Sequence, residues 1–251
     1  MFNELDDERL KKLRNKIVGS CTICHGTGIG IDDRECECLR KYLYYAGLAA
    51  ANVPSDYWFL DEKEFEGDKI GLTIVKKYID NIDNAFKQGL GMTFVGSDGR
   101  GKTFLSILII KAATVKQHSA FIITMAELIK FIQGGFEDEE KADFYNNKIK
   151  KVDFLCVDDL GKEYRNLKNS GSFVTAEFDI LMRFRKGSLL PTILTTNLGD
   201  TEFKKFYGDS VDSLLTSCNK RLIVMGDDYR GKQGKNWDKL LNTISKDFDE
   251  A

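Results

Sequence analysis

The chain has 251 residues, 42% of them hydrophobic, and a formal net charge of −2. That length suits one α/β domain of ~150–200 residues with a smaller appendage. Near-neutrality excludes a protein that coats nucleic acid through its overall charge, so any such contact must be a local, salt-sensitive patch. Met1 to Lys16 is charged rather than apolar, and the run Phe104 to Ala113 is too short to span a bilayer. A soluble, cytoplasmic protein with no membrane partner is expected.

Residues 3–17 place Leu10, Leu13 and Ile17 at helical spacing, which predicts a short amphipathic helix that packs on the next module or on a partner. Four of the six cysteines then crowd between positions 21 and 38. In a reducing compartment that crowding favours metal over disulfides. Cys21 and Cys24 form a C-x₂-C knuckle, and Cys36 and Cys38 supply a second pair about a dozen residues later, completing a tetrahedral zinc site. The C-x-C half is unusual, so His25 stands as a substitute ligand. No substrate-activating residue lies nearby, and the zinc reads as structural.

Residues 37–51 read as a helix with Leu39, Tyr42, Leu43, Ala46 and Ala50 on one face, ended by Pro54. Positions 52–67 read as an extended linker whose aromatics (Tyr57, Trp58, Phe59, Phe65) dock on the next domain. The expected division is a zinc-binding module over 1–51, a linker over 52–67 and a larger domain over 68–251.

Val75, Ile79, Ile82 and Phe86 predict one amphipathic helix closed by Gly89. The strand Met92 to Val95 then feeds Gly96-Ser97-Asp98-Gly99-Arg100-Gly101-Lys102-Thr103, a G-x-x-x-x-G-K-[ST] loop ahead of a helix carrying Phe104, Leu105, Leu108, Ile109 and Ala112. Backbone N–H groups of such a loop cradle a phosphate chain, Lys102 reaches the β/γ-phosphates, and Thr103 ligates Mg²⁺. The pattern predicts ATP or GTP binding. A strand over Ala120 to Thr124 comes next. Met125 to Lys151 then holds two helical pieces broken at Gly134-Gly135, and its acidic run reads as a solvated face.

Phe154 to Asp159 is an apolar strand that delivers two carboxylates to the sheet edge where the phosphates sit. Asp158 is placed to hold Mg²⁺, and Asp159 to orient or deprotonate the attacking water. Gly161 to Gly171, with Lys162, Arg165 and Lys168, reads either as a solvated loop or as a contact for DNA or a neighbouring subunit. A helix with Phe173, Ala176, Ile180, Leu181 and Phe184 buried comes next, with Arg183 and Arg185 near its end. Pro191 to Asn197 is a second buried strand that carries Asn197 to the phosphate loop. Asp200 caps a short helix, Ser210 to Arg221 forms another, and Leu222 to Met225 a last strand. Arg221 and Arg230 are candidate cations for the γ-phosphate.

Taken together, the zinc knuckle, the A-N-V-P linker, G-S-D-G-R-G-K-T, F-L-C-V-D-D-L-G-K-E, P-T-I-L-T-T-N-L, K-R-L and G-D-D-Y-R resemble the DnaC/DnaI-type AAA+ helicase loaders, and the small bacterial and phage-encoded members most of all. The similarity runs from Cys21 to Arg230. It implies a P-loop AAA+ ATPase, a parallel sheet flanked by helices without a full lid domain, behind a small zinc-binding domain that grips a hexameric replicative helicase. It also implies self-association, single-stranded DNA binding, and ATP, Mg²⁺ and Zn²⁺ as cofactors. Asn197 falls at the sensor-1 position, Arg221 at the arginine finger that reaches a neighbour's nucleotide, and Arg230 at the sensor-2 arginine. Asp159 stands where most AAA+ proteins have Glu, which implies slow or assembly-dependent hydrolysis. Transposition helper ATPases of the IstB type look alike through the core. The zinc knuckle and the lack of a clearly basic N-terminal domain argue against that alternative. A small P-loop kinase would need an Arg-rich substrate lid that the sequence lacks.

Overall fold

The computed structural model describes residues 4–31, 33–135, 138–162 and 171–228. Helix α1 (Glu4–Arg14) runs into a π turn (Asn15–Gly19) that buries Val18. Leu10, Leu13 and Ile17 pack against the main core as their spacing predicts. Helix α2 (Glu37–Ala50) comes after the cysteines.

Its buried face differs from the expected one. Tyr45, Leu48 and Ala49 are buried, whereas Leu43 is exposed. The reason is that α2 serves two neighbours. Leu39 packs beneath the knuckle at Gly28, and Gly47 lets the other end approach Thr114 of α5 (Lys102–Val115). A helix pressed on two surfaces cannot be assigned one stripe from its own periodicity.

Residues 52–67 are not extended. They fold into two 3₁₀ turns, Ser55–Tyr57 and Glu62–Glu64, and bury Trp58 and Phe65. The Trp58 indole donates to Val53 O at 2.8 Å, and the ammonium of Lys111 on α5 donates to the carbonyls of Tyr57, Trp58 and Leu60. Tyr45, Leu48, Trp58 and Phe65 consequently belong to the same core as Phe94, Leu105, Phe154 and Ile193.

The single helix expected over 75–86 is two, α3 (Lys69–Asp80) and α4 (Ile82–Gln88), broken at Asn81. Gly89, at φ +65°, ends α4 as predicted.

Strands β1 (Gly91–Val95), β2 (Ala120–Thr124), β3 (Phe154–Leu160), β4 (Thr192–Thr196) and β5 (Asn219–Ile223) form one parallel sheet in the order β2-β3-β4-β1-β5. Side chains alternate between its faces, as strand geometry requires. Ile122 and Cys156 join the core beneath α2, α3 and α5. Phe121, Ile123, Leu155 and Val157 join a second core on the opposite face. That core is covered by α6 (Met125–Gly134), α8 (Gly171–Gly187) and α9 (Asp200–Cys218), while α7 (Glu139–Asp143) and a π turn (Phe144–Ile149) link α6 to β3. Burial on both faces explains the near-continuous apolar runs of the central strands.

The structure corrects three local expectations. On α8 the buried stripe is Val174, Phe178, Leu181, Met182 and Arg185, whereas Ala176 and Ile180 face out. Arg185 is no surface cation. Fully buried, it donates to the carbonyls of Lys150, Val152, Asp153 and Pro191 and to the Thr192 hydroxyl, satisfying the sheet's lower edge. Gly199 rather than Asp200 caps α9, and Arg221 lies on β5 rather than on the preceding helix, whereas the break at Gly208 divides α9 into two helical pieces as expected. No helix among the described residues is long and apolar enough to cross a membrane.

Candidate functional site

The phosphate loop leaves β1, which lies between β4 and the edge strand β5, and enters α5 at Lys102. The N-terminus of α5 thereby points its unpaired N–H groups and positive dipole end into the loop. Two glycines of the loop combine a left-handed conformation with a close side-chain neighbour. Gly99 (φ +75°) lies against the Asp228 carboxylate, and Gly101 (φ +86°) lies under the Phe65 ring, so a Cβ at either would collide.

Lys102 is 6% exposed, and its ammonium donates to the carbonyls of Gly96 (2.7 Å) and Ser97 (2.8 Å). Burial lowers its pKa. The Thr103 hydroxyl donates to both carboxylate oxygens of Asp158, at 3.1 and 3.0 Å. The Thr195 hydroxyl donates to the same carboxylate from β4. Burial raises the Asp158 pKa, and the hydroxyls of Thr195 and Thr103 pull against it. A buried carboxylate held by two hydroxyls beside a phosphate loop fits a magnesium ligand set.

Asp159 faces the same cleft although it comes directly after Asp158. The β3–β4 register shifts between Val157 and Leu160, and Asp159 takes φ +62°. This irregularity breaks the strict alternation and aims both carboxylates at one place. The Asp159 N–H donates to Thr195 Oγ1 at 2.9 Å, and its carboxylate pairs with Lys162 at 2.8 Å. Lys162 also lies 3.3 Å from Asp98 of the phosphate loop. Asn197, just beyond β4, donates to the same Asp98 oxygen at 2.8 Å, and its own Oδ1 is buried with no partner among the described residues. That amide holds Asp98 below the usual carboxylate range. β4 lies between the phosphate-loop strand and the strand of Asp158, so Asn197 emerges between them.

Asp98, Lys102, Thr103 and Asp159 border a cleft of about 440 Å³, whose far wall is Tyr57, Leu60 and Phe65. A second cleft, about 530 Å³, opens at the opposite ends of the strands, beside Gly91 and Asn219, remote from the phosphate loop.

Arg221 is not part of this cleft. Its guanidinium lies 2.6 Å from Asp200 and 3.6 Å from Asp212, beside the start of α9. Arg230 lies outside the described residues, as do Arg165 and Lys168. Lys162, read from sequence as part of a solvated or DNA-contacting loop, instead reaches back to two cleft carboxylates. Sequence reasoning also missed the places of Thr195, Phe65 and Asp228 at the site. The signal for Lys162 was available in its spacing of three residues after Asp159. No local pattern marks Phe65 as a neighbour of Gly101, which it approaches only through tertiary packing.

In the N-terminal region the sulfurs of Cys21, Cys24, Cys36 and Cys38 lie within 4.8 Å of one another. Cys21 and Cys36 are 3.8 Å apart, and Cys24 and Cys38 3.4 Å. A regular tetrahedron with Zn–S bonds of about 2.3 Å has edges of about 3.8 Å, so this donor set fits zinc. Burial works against a thiolate at Cys24, but the Gly28 N–H, at 3.3 Å from the sulfur, the Cys38 thiol and the Gly26 N–H outweigh it and bring the thiol down to about 6. His25 is exposed and outside this cluster.

A family profile described as IstB-like ATP binding protein matches residues 32–236. Among curated relatives, the chain is 23% identical over 171 residues to the replicative helicase loader DnaC of Escherichia coli (strain K12), covering 67% of this chain and 66% of that one. It is 27% identical over 128 residues to the replicative helicase loader DnaI of Bacillus subtilis (strain 168), covering 49% and 38%. The chain thus spans just under two thirds of the first relative's length. Its fold is similar to that of a crystal structure of the DnaC helicase loader, with a TM-score of 0.59 at 23% identity over 68% of this chain and 100% of that one.

Proposed function

We propose that this chain, which belongs to the IstB-like ATP-binding protein family, is an ATP-dependent loader of a ring-shaped replicative helicase. The observation that carries this reading is that the curated relatives DnaC and DnaI are both replicative helicase loaders. The cleft supports its ATP half. Lys102 serves the β/γ-phosphates, and the loop from Gly96 to Thr103 wraps the phosphate chain. Thr103 and Asp158 would hold magnesium, which neutralises phosphate charge when bound. Asp159 takes the water-activating position and Asn197 reads the terminal phosphate.

The nucleotide acts as an assembly switch. Arg221 stands away from its own protomer's cleft, which suits a residue that completes a neighbour's site. ATP favours a self-associated form engaged with the helicase and with single-stranded DNA, and hydrolysis favours release. The Cys₄ module and α1 present the helicase-binding surface. Asp159 is one methylene shorter than Glu, so turnover is slow outside the assembly.

The test is the native mass of the full chain mixed with the hexameric replicative helicase of its host, with Mg²⁺ and either ATP or no nucleotide. An ATP-dependent complex is expected, together with faster helicase loading on single-stranded DNA. No complex under either condition rejects the reading. The family profile itself keeps a second reading in play, a transposition helper ATPase of the IstB type. ATP-dependent coating of duplex DNA without helicase binding would favour it.

A further inference from the structure

Two side chains from two other segments, Asn197 and Lys162, converge at Asp98. It is a carboxylate placed within a loop whose architecture serves anions. Asn197 Nδ2 donates to Asp98 Oδ1 at 2.8 Å from the end of β4. Lys162 Nζ stands 3.3 Å from the same oxygen and 2.8 Å from Asp159 Oδ1, just beyond the end of β3. One Asp98 oxygen therefore gathers a cation and an amide donor at the mouth of the phosphate cleft. Lys102, deeper in the loop, is committed to the carbonyls of Gly96 and Ser97.

These contacts are exchangeable. The side chains of Lys162, Asp98 and Asp159 are 33%, 44% and 34% exposed, and ion pairs so accessible to water are weak. A terminal phosphate carries more charge than a carboxylate and offers three acceptor oxygens, so it outcompetes Asp98 for a lysine and an amide. A diphosphate, which ends one group earlier, leaves both donors with Asp98.

We propose that Lys162 is a specificity-determining residue that reads the terminal phosphate, and that Asp98 is the internal carboxylate that holds it when that phosphate is not engaged. The exchange moves Lys162 off Asp159 as well, freeing that carboxylate to face the water when a triphosphate is bound. This inference rests on the nucleotide-binding reading. It adds a second phosphate cation, supplied by the segment after the Asp158-Asp159 strand.

The test compares a non-hydrolysable ATP analogue with ADP, each with Mg²⁺, by calorimetric titration of the full chain and its variants. Wild type is expected to prefer the triphosphate. Lys162→Ala is expected to lose about tenfold in triphosphate affinity, the scale of one charge-assisted contact, with ADP affinity unchanged within about twofold. Lys162→Arg is expected to retain the preference, and Asp98→Asn to bind the triphosphate more tightly by removing its competitor. Equal losses for both nucleotides in Lys162→Ala, or weaker triphosphate binding by Asp98→Asn, would overturn the proposal and leave nucleotide binding intact. Failure of wild type to bind either nucleotide would instead overturn the nucleotide-binding reading, and this inference with it.

Discussion

Thr103 and Asp158 meet through two hydrogen bonds of 3.1 and 3.0 Å although 55 residues separate them. One begins the helix after β1, and the other sits on β3, two places away from β1 in the sheet. On the proposed reading their contact marks where magnesium and the terminal phosphates would sit, and it sets stability against function. Burial raises the pKa of Asp158. A raised carboxylate pKa means that the folded state binds its proton more tightly than the unfolded state does. The contribution to stability is then fully present below the unfolded value and is lost as pH rises through the folded one. At neutral pH the ionised Asp158 is a burden on the fold.

Asp158→Asn is therefore expected to raise the thermal midpoint of the chain at pH 7 by a few degrees, on the scale of about 1 kcal/mol. The gain should vanish near pH 3, where both forms are neutral. The same variant should lose the Mg²⁺ dependence of ATP binding. Thermal melts at both pH values, with and without Mg²⁺–ATP, check both halves. A variant less stable than wild type at pH 7 contradicts the argument.

Cys21→Ser should remove the metal and weaken helicase binding while sparing nucleotide binding. The knuckle rests on the Leu39 end of α2, whereas Tyr45 and Leu48 hold the other end in the main core. Elemental analysis is expected to give one zinc per wild-type chain and none for the variant. ATP affinity is expected to agree within about twofold, below the scale of one lost hydrogen bond.

Leu48→Ala tests how the segment before residue 52 relates to the rest. Leu48 is fully buried in the cluster that includes Phe94 and Ile193. The cost should be about 2–5 kcal/mol, felt by the whole chain as one cooperative transition. Denaturant unfolding followed separately by Trp fluorescence and by nucleotide release should show coincident shifts. An early transition confined to the N-terminal region would mean that α2 unfolds independently.

Arg221→Ala is expected to leave ATP binding unchanged and to lower hydrolysis in the assembly by at least about 10³-fold, the lower end of the range for arginine fingers. Mixing it with Lys102→Ala, which alone should lose at least about tenfold in ATP affinity, provides the decisive measurement. If Arg221 acts on a neighbour, mixed assemblies regain activity that neither variant has alone. No recovery would place Arg221 in a structural role with Asp200 and Asp212.

The C-x₂-C and C-x-C pairs, the phosphate loop, the Asp158-Asp159 strand and the Thr196-Asn197 strand end were legible because each depends on short spacing and a strand or helix period. Sequence alone pointed to nucleotide and metal chemistry, since a loop that wraps a phosphate chain with its backbone N–H groups calls for glycines and tetrahedral sulfur ligation calls for paired thiols. It did not reveal that residues 52–67 form a wall of the cleft, that Arg185 is a buried clamp, or that Lys162 lies over Asp98. Only the tertiary structure decided those. Each depends on which surfaces meet once the sheet order brings distant segments together, and a side chain with two or three possible partners takes the one that packing supplies.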